Sequence, residues 1–292
     1  MQSIPKNIKT VSFREGNSSY PILEIHRKEC DAEIALHGGH LLSWTPSGEE
    51  PVIYTSSTAI FKEGTAIRGG IPICWPWFNA HPTDPSLPSH GIARNRFWKL
   101  AEVSEDITHT TIKLHLDCND QTQAIWDEEF SLEATIILGA TLEVSLQTIN
   151  QGATPITVGG ALHTYLNVSD INNISIHGLE NTQYIDTVGE ETLKRQEGSV
   201  KIQSEVDRIY VNTTDDILLK DSGYNRSLKV SRKGSSSAVV WNPWVDKALS
   251  LKDLPNDAYK QFVCIEATNA KTDTYSLDHL KSHTLTTKIE VI

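Results

Sequence analysis

The sequence has few cysteines and no long apolar run, and each shortage narrows the class of protein. Four cysteines are scattered over 292 residues, and no two of them form a Cys-x-x-Cys pair. This spacing indicates reduced, buried thiols and argues against a disulfide framework or a cysteine-based zinc site. No apolar run approaches the roughly eighteen residues of a membrane span, and the first residues contain no apolar signal segment. We therefore expect a cytoplasmic protein that does not contact a membrane.

Positive charge is also in short supply. The chain has 26 Lys and Arg residues against 37 Asp and Glu residues, which gives a formal net charge of -11. Binding to a nucleic-acid backbone depends on clustered Lys and Arg, so this balance argues against a nucleic-acid partner. The overall field would also repel an anionic ligand, so any such ligand needs a local positive pocket.

A third shortage is helical periodicity, because no sustained apolar stripe at helical spacing occurs. Short segments instead alternate apolar and polar residues, at 112–116, 142–146, 200–202, 228–230 and 289–291. Alternation of this kind is typical of half-buried antiparallel strands.

The alternation predicts an all-β protein. We expect a large antiparallel β-sandwich of two sheets packed face to face, with more than half of the residues in strands. The chain shows no linker and no repeat, so we expect a single domain over residues 1–292. Helices should be few and short, and 122–126 and 255–260 are the candidates.

One segment, residues 67–98, does not fit the strand pattern. It contains five prolines, three glycines, three arginines and three tryptophans. Loops of this length are either functional or disordered, and the aromatic residues argue against disorder. We therefore predict an ordered loop built around a site.

The composition of this loop suits a sugar phosphate. Aromatic faces stack on a pyranose ring, and the guanidinium fork of Arg matches phosphate oxygens. The candidates within the loop are Trp75, Trp77, Phe78, Arg68, Arg94 and Arg96. Each residue alone could equally be a core aromatic or a partner of a surface carboxylate; their concentration in one loop favours a site.

Three residues could transfer protons: His90 in the loop, His163 after an apolar segment, and Glu266 within the apolar run FVCIEA. A buried carboxylate is costly unless it is paired or functional. Two other interpretations stay open on the pattern alone. His163 could be a hydrogen-bonded core histidine, and Glu266 could face solvent on an alternating strand.

Metal and cofactor motifs are missing. His37 and His40 have no third ligand nearby in the sequence, so they do not predict a zinc site. No glycine-rich phosphate loop precedes a helix, and no Gly-x-Ser-x-Gly elbow occurs. We expect no metal, no nucleotide cofactor and no serine hydrolase chemistry.

Five sequence blocks together resemble the aldose 1-epimerase (galactose mutarotase) superfamily, and within it the hexose-6-phosphate mutarotases. The blocks are IRGGIPICWPWF, SHGIARNRFW, ALHTYLNV, DRIYVN and CIEATNA. The resemblance covers nearly the whole chain. It implies a β-supersandwich, a monomer or weak oligomer, no metal or organic cofactor, and an isomerase that interconverts the anomers of a hexose 6-phosphate.

The resemblance also implies roles for individual residues. Glu266 corresponds to the catalytic base and His163 to the general acid. His90 corresponds to a histidine that binds the sugar near its ring, and Asp207 to an aspartate that binds sugar hydroxyls. As acid and base, Glu266 and His163 should face each other across a gap as wide as the C1–O5 edge of the ring.

The phosphate is assigned by the same resemblance to Arg68 and Arg94. The resemblance leaves Arg96 without a role at the sugar, and the partners of Trp75 and Trp77 undefined.

Three other functions are weighed against this one. A non-catalytic carbohydrate-binding or sugar-sensing sandwich would not need both an acid and a base. A glycoside hydrolase or lyase generally needs two carboxylates around the scissile bond. A mutarotase for unphosphorylated hexoses would have no use for Arg68 and Arg94.

Overall fold

Antiparallel strands dominate the part of the chain that the computed structural model describes, residues 4–6, 8–15 and 20–292. The all-β class is confirmed, although about 48% of the residues lie in strands, slightly less than the predicted half. Long connecting loops account for the difference. The strands are numbered below in chain order and form two large sheets, a third smaller sheet and a separate pair.

Sheet I has eight strands in the order β15-β14-β16-β19-β20-β11-β5, and β12 also pairs with β20. Its strands are β5 (Ile73–Cys74), β11 (Gly160–Leu162), β12 (Tyr165–Asn167), β14 (Gln183–Asp186), β15 (Thr192–Arg195), β16 (Val206–Val211), β19 (Ser237–Asn242) and β20 (Phe262–Asn269).

Sheet II also has eight strands, in the order β13-β17-β18-β22-β9-β8-β7-β6. Its strands are β6 (Lys99–Glu105), β7 (Thr110–Asp117), β8 (Phe130–Leu138), β9 (Thr141–Asn150), β13 (Ile174–His177), β17 (Ile217–Asp221), β18 (Arg226–Lys233) and β22 (Ser282–Val291).

The N-terminal part of the chain adds sheet III, which the sequence did not predict. Sheet III consists of β1 (Val11–Glu15), β2 (Pro21–His26), β3 (Cys30–Ala35) and β4 (His40–Pro46). The remaining two strands, β10 (Ile156–Val158) and β21 (Tyr275–Leu277), pair with each other.

The two large sheets pack against each other, as predicted. β20 and β11 of sheet I contact β22 of sheet II. β8 and β9 alternate strictly between buried and partly exposed residues, so sheet II turns one face to the core and one outward. One cluster of buried apolar side chains joins sheets I, II and III. β19 and β20 are buried at every position, because they lie at the centre of sheet I with both faces covered.

Helices are short within the described residues. They are α1 (Asp120–Gln123), α2 (Trp244–Ser250) and three 3₁₀ turns, Ala93–Asn95, Ile171–Asn173 and Ala258–Lys260. None of the described helices is long and apolar enough to cross a membrane.

Two local predictions need correction. Helix α2 was not predicted, because an isolated two-turn helix is too short to show a clear apolar stripe. The alternation at 200–202 does not form a strand, since Val200 makes only a single bridge to Ile176.

Candidate active site

Strand pairing brings the two proton-transfer candidates together. Glu266 lies in β20, and His163 directly follows β11, whose Leu162 pairs with Ala267. The two side chains therefore lie side by side, with Nδ1 of His163 3.3 Å from Oε1 of Glu266. The predicted gap between them is wrong, because hydrogen-bonded neighbouring strands are only about 4.8 Å apart.

Both side chains are buried. The Glu266 side chain is 1% exposed and the His163 side chain 11%. Among the described residues, neither carboxyl oxygen of Glu266 nor Nδ1 of His163 has a well-aligned hydrogen-bond partner, because the 3.3 Å contact between them is poorly oriented. The solvent-facing interpretation of Glu266 is therefore wrong. A buried, unpaired carboxyl costs free energy, and a ligand that hydrogen-bonds to it would offset that cost.

Burial favours the neutral form of each group. It raises the pKa of Glu266 well above the usual value for a glutamate, and the charge of Asp207 adds to the rise. Burial lowers the pKa of His163 well below the usual histidine value, and the neighbouring His90, Arg94 and Arg68 lower it further. The ring of His163 also stacks on Tyr165, with 4.9 Å between centroids and 12° between planes, which fixes its orientation.

His90 faces His163 from the loop, with 5.9 Å between ring centroids. Its Nδ1 accepts a hydrogen bond from the backbone N–H of Asn79 at 3.2 Å. The proton of the neutral ring must then be on Nε2, which can donate to a ligand. Burial, with Arg94 and Arg68 next in importance, lowers the pKa of His90 to about 3, so His90 is a neutral donor.

A tight turn holds His90 in place. His90 adopts a φ of +63° and Gly91 a φ of +73°. The backbone N–H of His90 donates to the carbonyl of Asn79 at 2.7 Å. A Cβ on Gly91 would lie 1.9 Å from the carbonyl oxygen of Trp75, so only glycine fits where the loop passes this close to its own backbone.

The two predicted phosphate arginines are held differently. Arg68 donates through Nε to Asp253 and through Nη1 to the hydroxyl of Tyr165, each at 3.2 Å. Arg94, in the 3₁₀ turn after His90, donates through Nη2 to the carbonyl of Ser89 at 2.9 Å. Arg94 therefore keeps more of its donors free for a ligand.

Asp207 lines the cavity from β16, two strands away from β20 in sheet I. Burial raises its pKa above the usual aspartate value, while the nearby charge of Lys247 opposes that rise. Lys247 lies in α2 and also contacts Glu205 at 2.9 Å. No sequence pattern predicts Lys247 as a site residue, because its position depends on how α2 packs near sheet I.

All six predicted site residues line one cavity of about 200 Å³. The other lining residues are Phe78, Asn79, Val239, Trp241, Lys247 and Leu251. The cavity therefore has a carboxyl–imidazole pair, three cationic side chains and an apolar wall.

The aromatic predictions are only partly correct. Phe78 lines the cavity, but Trp75 is a core residue that packs on Trp126 and Phe130. Trp241 of β19, which sequence reasoning missed, is the second aromatic residue that lines the cavity. It is paired with Cys264, next to Glu266 on the same strand, and this register cannot be read from sequence.

Two further loop residues lie outside the cavity. Arg96 reaches the carbonyl of Gln121 through Nη2 at 3.4 Å, so its role is at the loop surface. Trp77 lines a separate cavity of about 350 Å³, which Phe78 and Asn79 divide from the first. This second cavity is larger, but no carboxyl–imidazole pair lines it.

Comparison with known proteins gives a consistent set of similarities. A family model described as aldose 1-epimerase matches residues 21–290. A protein of Escherichia coli K12 named "Putative glucose-6-phosphate 1-epimerase" is 35% identical over 266 residues, which cover 91% of this chain and 88% of that protein.

Solved structures share the fold. The crystal structure of a "putative mutarotase (YeaD)" from Salmonella typhimurium superimposes with a TM-score of 0.89 and 34% identity, covering 97% of this chain and 93% of the other. Galactose 1-epimerase from Lactobacillus acidophilus, at 14% identity, shares the fold with a TM-score of 0.72 over 97% of this chain and 98% of its own.

Proposed function

The chain belongs to the aldose 1-epimerase family, and from this premise we propose that it interconverts the α and β anomers of a hexose 6-phosphate, with glucose 6-phosphate as the first candidate. The proposal is carried by one observation: His163 and Glu266 lie side by side in a cavity that Arg68 and Arg94 also line, and neither Nδ1 of His163 nor the Glu266 carboxyl has a well-aligned hydrogen-bond partner among the described residues. The name of the Escherichia coli relative contains the same substrate, and the name of the Salmonella typhimurium structure contains the same type of reaction.

Anomer exchange needs one proton removed and one supplied. A base takes the proton of the C1 hydroxyl while an acid protonates the ring oxygen, so the C1–O5 bond breaks. Rotation about C1–C2 and reclosure give the other anomer. Both oxygens are bonded to C1, so they lie close together, and neighbouring groups such as Glu266 and His163 can reach both from one side.

The closeness of the two groups supports Glu266 as the base and His163 as the acid. In the neutral pair the carboxyl group of Glu266 carries a proton. Once the 3.3 Å contact is brought into line, transfer of this proton to Nδ1 of His163 gives a carboxylate and an imidazolium. The carboxylate then accepts the proton of the C1 hydroxyl, and the imidazolium donates to O5. General acid–base catalysis of this kind contributes about 10²–10⁴ in rate. No electron or group is transferred.

The remaining residues bind and orient the sugar. The Nε2–H of His90 can donate to an oxygen near the ring, and the carboxylate of Asp207 can accept from hydroxyls. Arg68 and Arg94 both lower the pKa of His90, which places their charge at this end of the cavity. Local positive charge is needed here, because a doubly negative phosphosugar meets a chain of net charge -11.

The test is two-dimensional NMR exchange spectroscopy on glucose 6-phosphate anomers, with and without protein. We expect faster exchange with the wild type and a loss of about 10²–10⁴ of the catalysed rate in Glu266→Gln, which keeps the shape of the side chain and removes the base. Glu133→Gln is the matched control, because Glu133 also contacts a histidine across paired strands, at 2.7 Å, but on sheet II.

Two results would count against the proposal. A folded Glu266→Gln protein that exchanges anomers at the wild-type rate would remove the base from the mechanism. A wild-type protein that binds glucose 6-phosphate, seen as a rise in Tm, without accelerating exchange would favour the sugar-sensing alternative.

A further inference from the structure

A thiol lies next to the carboxyl–imidazole pair. Cys264 precedes Glu266 by two positions in β20, so both side chains point to the same face of sheet I. Cys264 Sγ, a ring nitrogen of His163 and a carboxyl oxygen of Glu266 all lie within 4.8 Å of one another. Cys264 takes no part in the reaction proposed above.

These donors are the ones that Zn²⁺ prefers in proteins. Zinc sites commonly combine imidazole nitrogen, thiolate sulfur and carboxylate oxygen at bond lengths of about 2.0–2.3 Å. Tetrahedral geometry then places neighbouring donor atoms about 3.5 Å apart. The 3.3 Å between Nδ1 of His163 and Oε1 of Glu266 already matches this spacing. The Cys264 sulfur would have to approach by about an ångström.

Within the part of the chain that the structure describes, the carboxyl of Glu266 is also without a hydrogen-bond partner that would compete with a cation. Glu266 is fully buried, lines the cavity, and has no well-aligned hydrogen-bond partner on either oxygen within the described residues. A cation would satisfy this carboxyl, and the fourth coordination position would face the cavity, where water or a sugar oxygen could bind. Asp207 adds negative charge on the same cavity, whereas Arg68 and Arg94 oppose a cation, so the site needs the strong bond to a thiolate.

We propose that His163, Cys264 and Glu266 form a binding site for one thiophilic divalent cation of the Zn²⁺ type, at the floor of the cavity. The cation occupies the two groups that transfer protons, so its binding inhibits the enzyme and a chelator restores activity. The binding itself does not depend on the proposed function; only the inhibition rests on it.

The binding is tested with Co²⁺, a coloured probe for zinc sites, added to the chelator-treated full chain. A tetrahedral Co²⁺–thiolate complex absorbs in the near ultraviolet and the visible. We expect these bands to saturate at one Co²⁺ per chain, to be displaced by Zn²⁺, and to disappear in Cys264→Ser and Cys264→Ala. Cys30→Ala is the matched control, because Cys30 is equally buried but lies in sheet III.

The wild-type spectrum tests the proposal even if the Cys264 variants fail to fold, because a thiolate band requires a cysteine ligand. The variants of the other cysteines, Cys30→Ala, Cys74→Ser and Cys118→Ala, should retain the band. A wild type without saturable thiolate bands overturns the proposal, as does a folded Cys264→Ala protein with unchanged bands. In the exchange assay, Zn²⁺ should inhibit the wild type and spare Cys264→Ala. Saturable bands in a protein without exchange activity would contradict the proposed function and leave the metal site standing.

Discussion

At the scale of single residues, Arg94 offers the cleanest test of phosphate recognition. Arg68 is hydrogen-bonded to Asp253 and Tyr165, so its removal would also leave a partly buried carboxylate without this partner. Among the described residues, Arg94 has one hydrogen-bond partner, the Ser89 carbonyl. We expect Arg94→Gln to lower kcat/KM for glucose 6-phosphate about tenfold to a hundredfold, since one charge-assisted hydrogen bond contributes roughly 1.5–3 kcal/mol.

The measurement compares anomer exchange of glucose 6-phosphate with that of glucose, on the variant and on Arg96→Gln. Arg96 belongs to the same loop but lies outside the cavity. Exchange of glucose should not change in either variant. An equal loss for both sugars in Arg94→Gln would mean that Arg94 does not bind the phosphate.

The sequence identified the candidate residues better than it identified their environment. All six converge on one cavity, but the resemblance assigned most of their roles, not the residue pattern. Alternation alone left Glu266 free to face solvent, because burial depends on β20 lying between two layers. Trp75 could not be recognised as a core residue for the same reason, because its neighbours Trp126 and Phe130 lie some fifty residues away along the chain.

At the scale of elements, the loop of residues 67–98 depends on one close approach of backbone to backbone. Gly91→Ala should destabilise the protein by well over the roughly 1–2 kcal/mol that a left-handed alanine costs, because the new Cβ would meet the Trp75 carbonyl at 1.9 Å. Gly198→Ala separates the two effects, since Gly198 has a φ of +60° and no atom within 4 Å of the added Cβ.

Urea unfolding of both variants gives the comparison, with the exchange assay as a second readout. Gly91→Ala should also reduce activity, because the turn positions His90. Equal losses of stability in the two variants would show that the close approach to Trp75 contributes nothing beyond backbone strain.

Long strands were predictable and short elements were not. β7 and β9 alternate over eight and ten residues, enough to define a period of two. β5 has only two residues and β11 three, so no period can be seen in them. These short strands nevertheless flank the site, because β11 ends at Leu162, directly before His163.

At the scale of the whole molecule, buried histidines make stability depend on pH. His40 is completely buried, and its Nε2 contacts the Gly69 carbonyl at 2.8 Å. Burial lowers its pKa to about 3; the contact with Gly69 opposes this shift, and His37 and Arg94 add to it. In the unfolded chain the pKa is about 6.5. Below pH 6.5 the unfolded chain binds more protons, so the free energy of unfolding falls as pH decreases towards 3.

The contribution of His40 to this decline should be about 1.4 kcal/mol per pH unit once the pH is well below 6.5. His40→Gln should be less stable at neutral pH but should lose stability less steeply between pH 6 and pH 4. Urea unfolding at several pH values measures both slopes, with the exposed His279→Gln as control. Parallel slopes for wild type and His40→Gln would contradict the assignment.

The continuity of the hydrophobic core supports a single domain over residues 1–292. The single domain stays a prediction. Buried apolar residues of sheets I, II and III belong to one contiguous cluster, including Trp44 of β4, Leu146 of β9 and Ile265 of β20. Sequence could not foresee this arrangement, because sheet III gave no separate signal and its contacts span the chain.

The burial of β20 on both faces has a consequence for mutational tolerance. Val263 and Ile265 belong to the main core, Cys264 packs in a second buried apolar cluster, and Glu266 lines the cavity. All eight residues of the strand are buried, so a substitution anywhere in it disturbs either packing or chemistry. β15, at the edge of the same sheet, is exposed at all four positions and can accept polar replacements. We therefore expect single substitutions in sheet I to be tolerated at its edge strand β15. At the central strand β20, we expect a substitution to be tolerated only together with a second one that restores the packing.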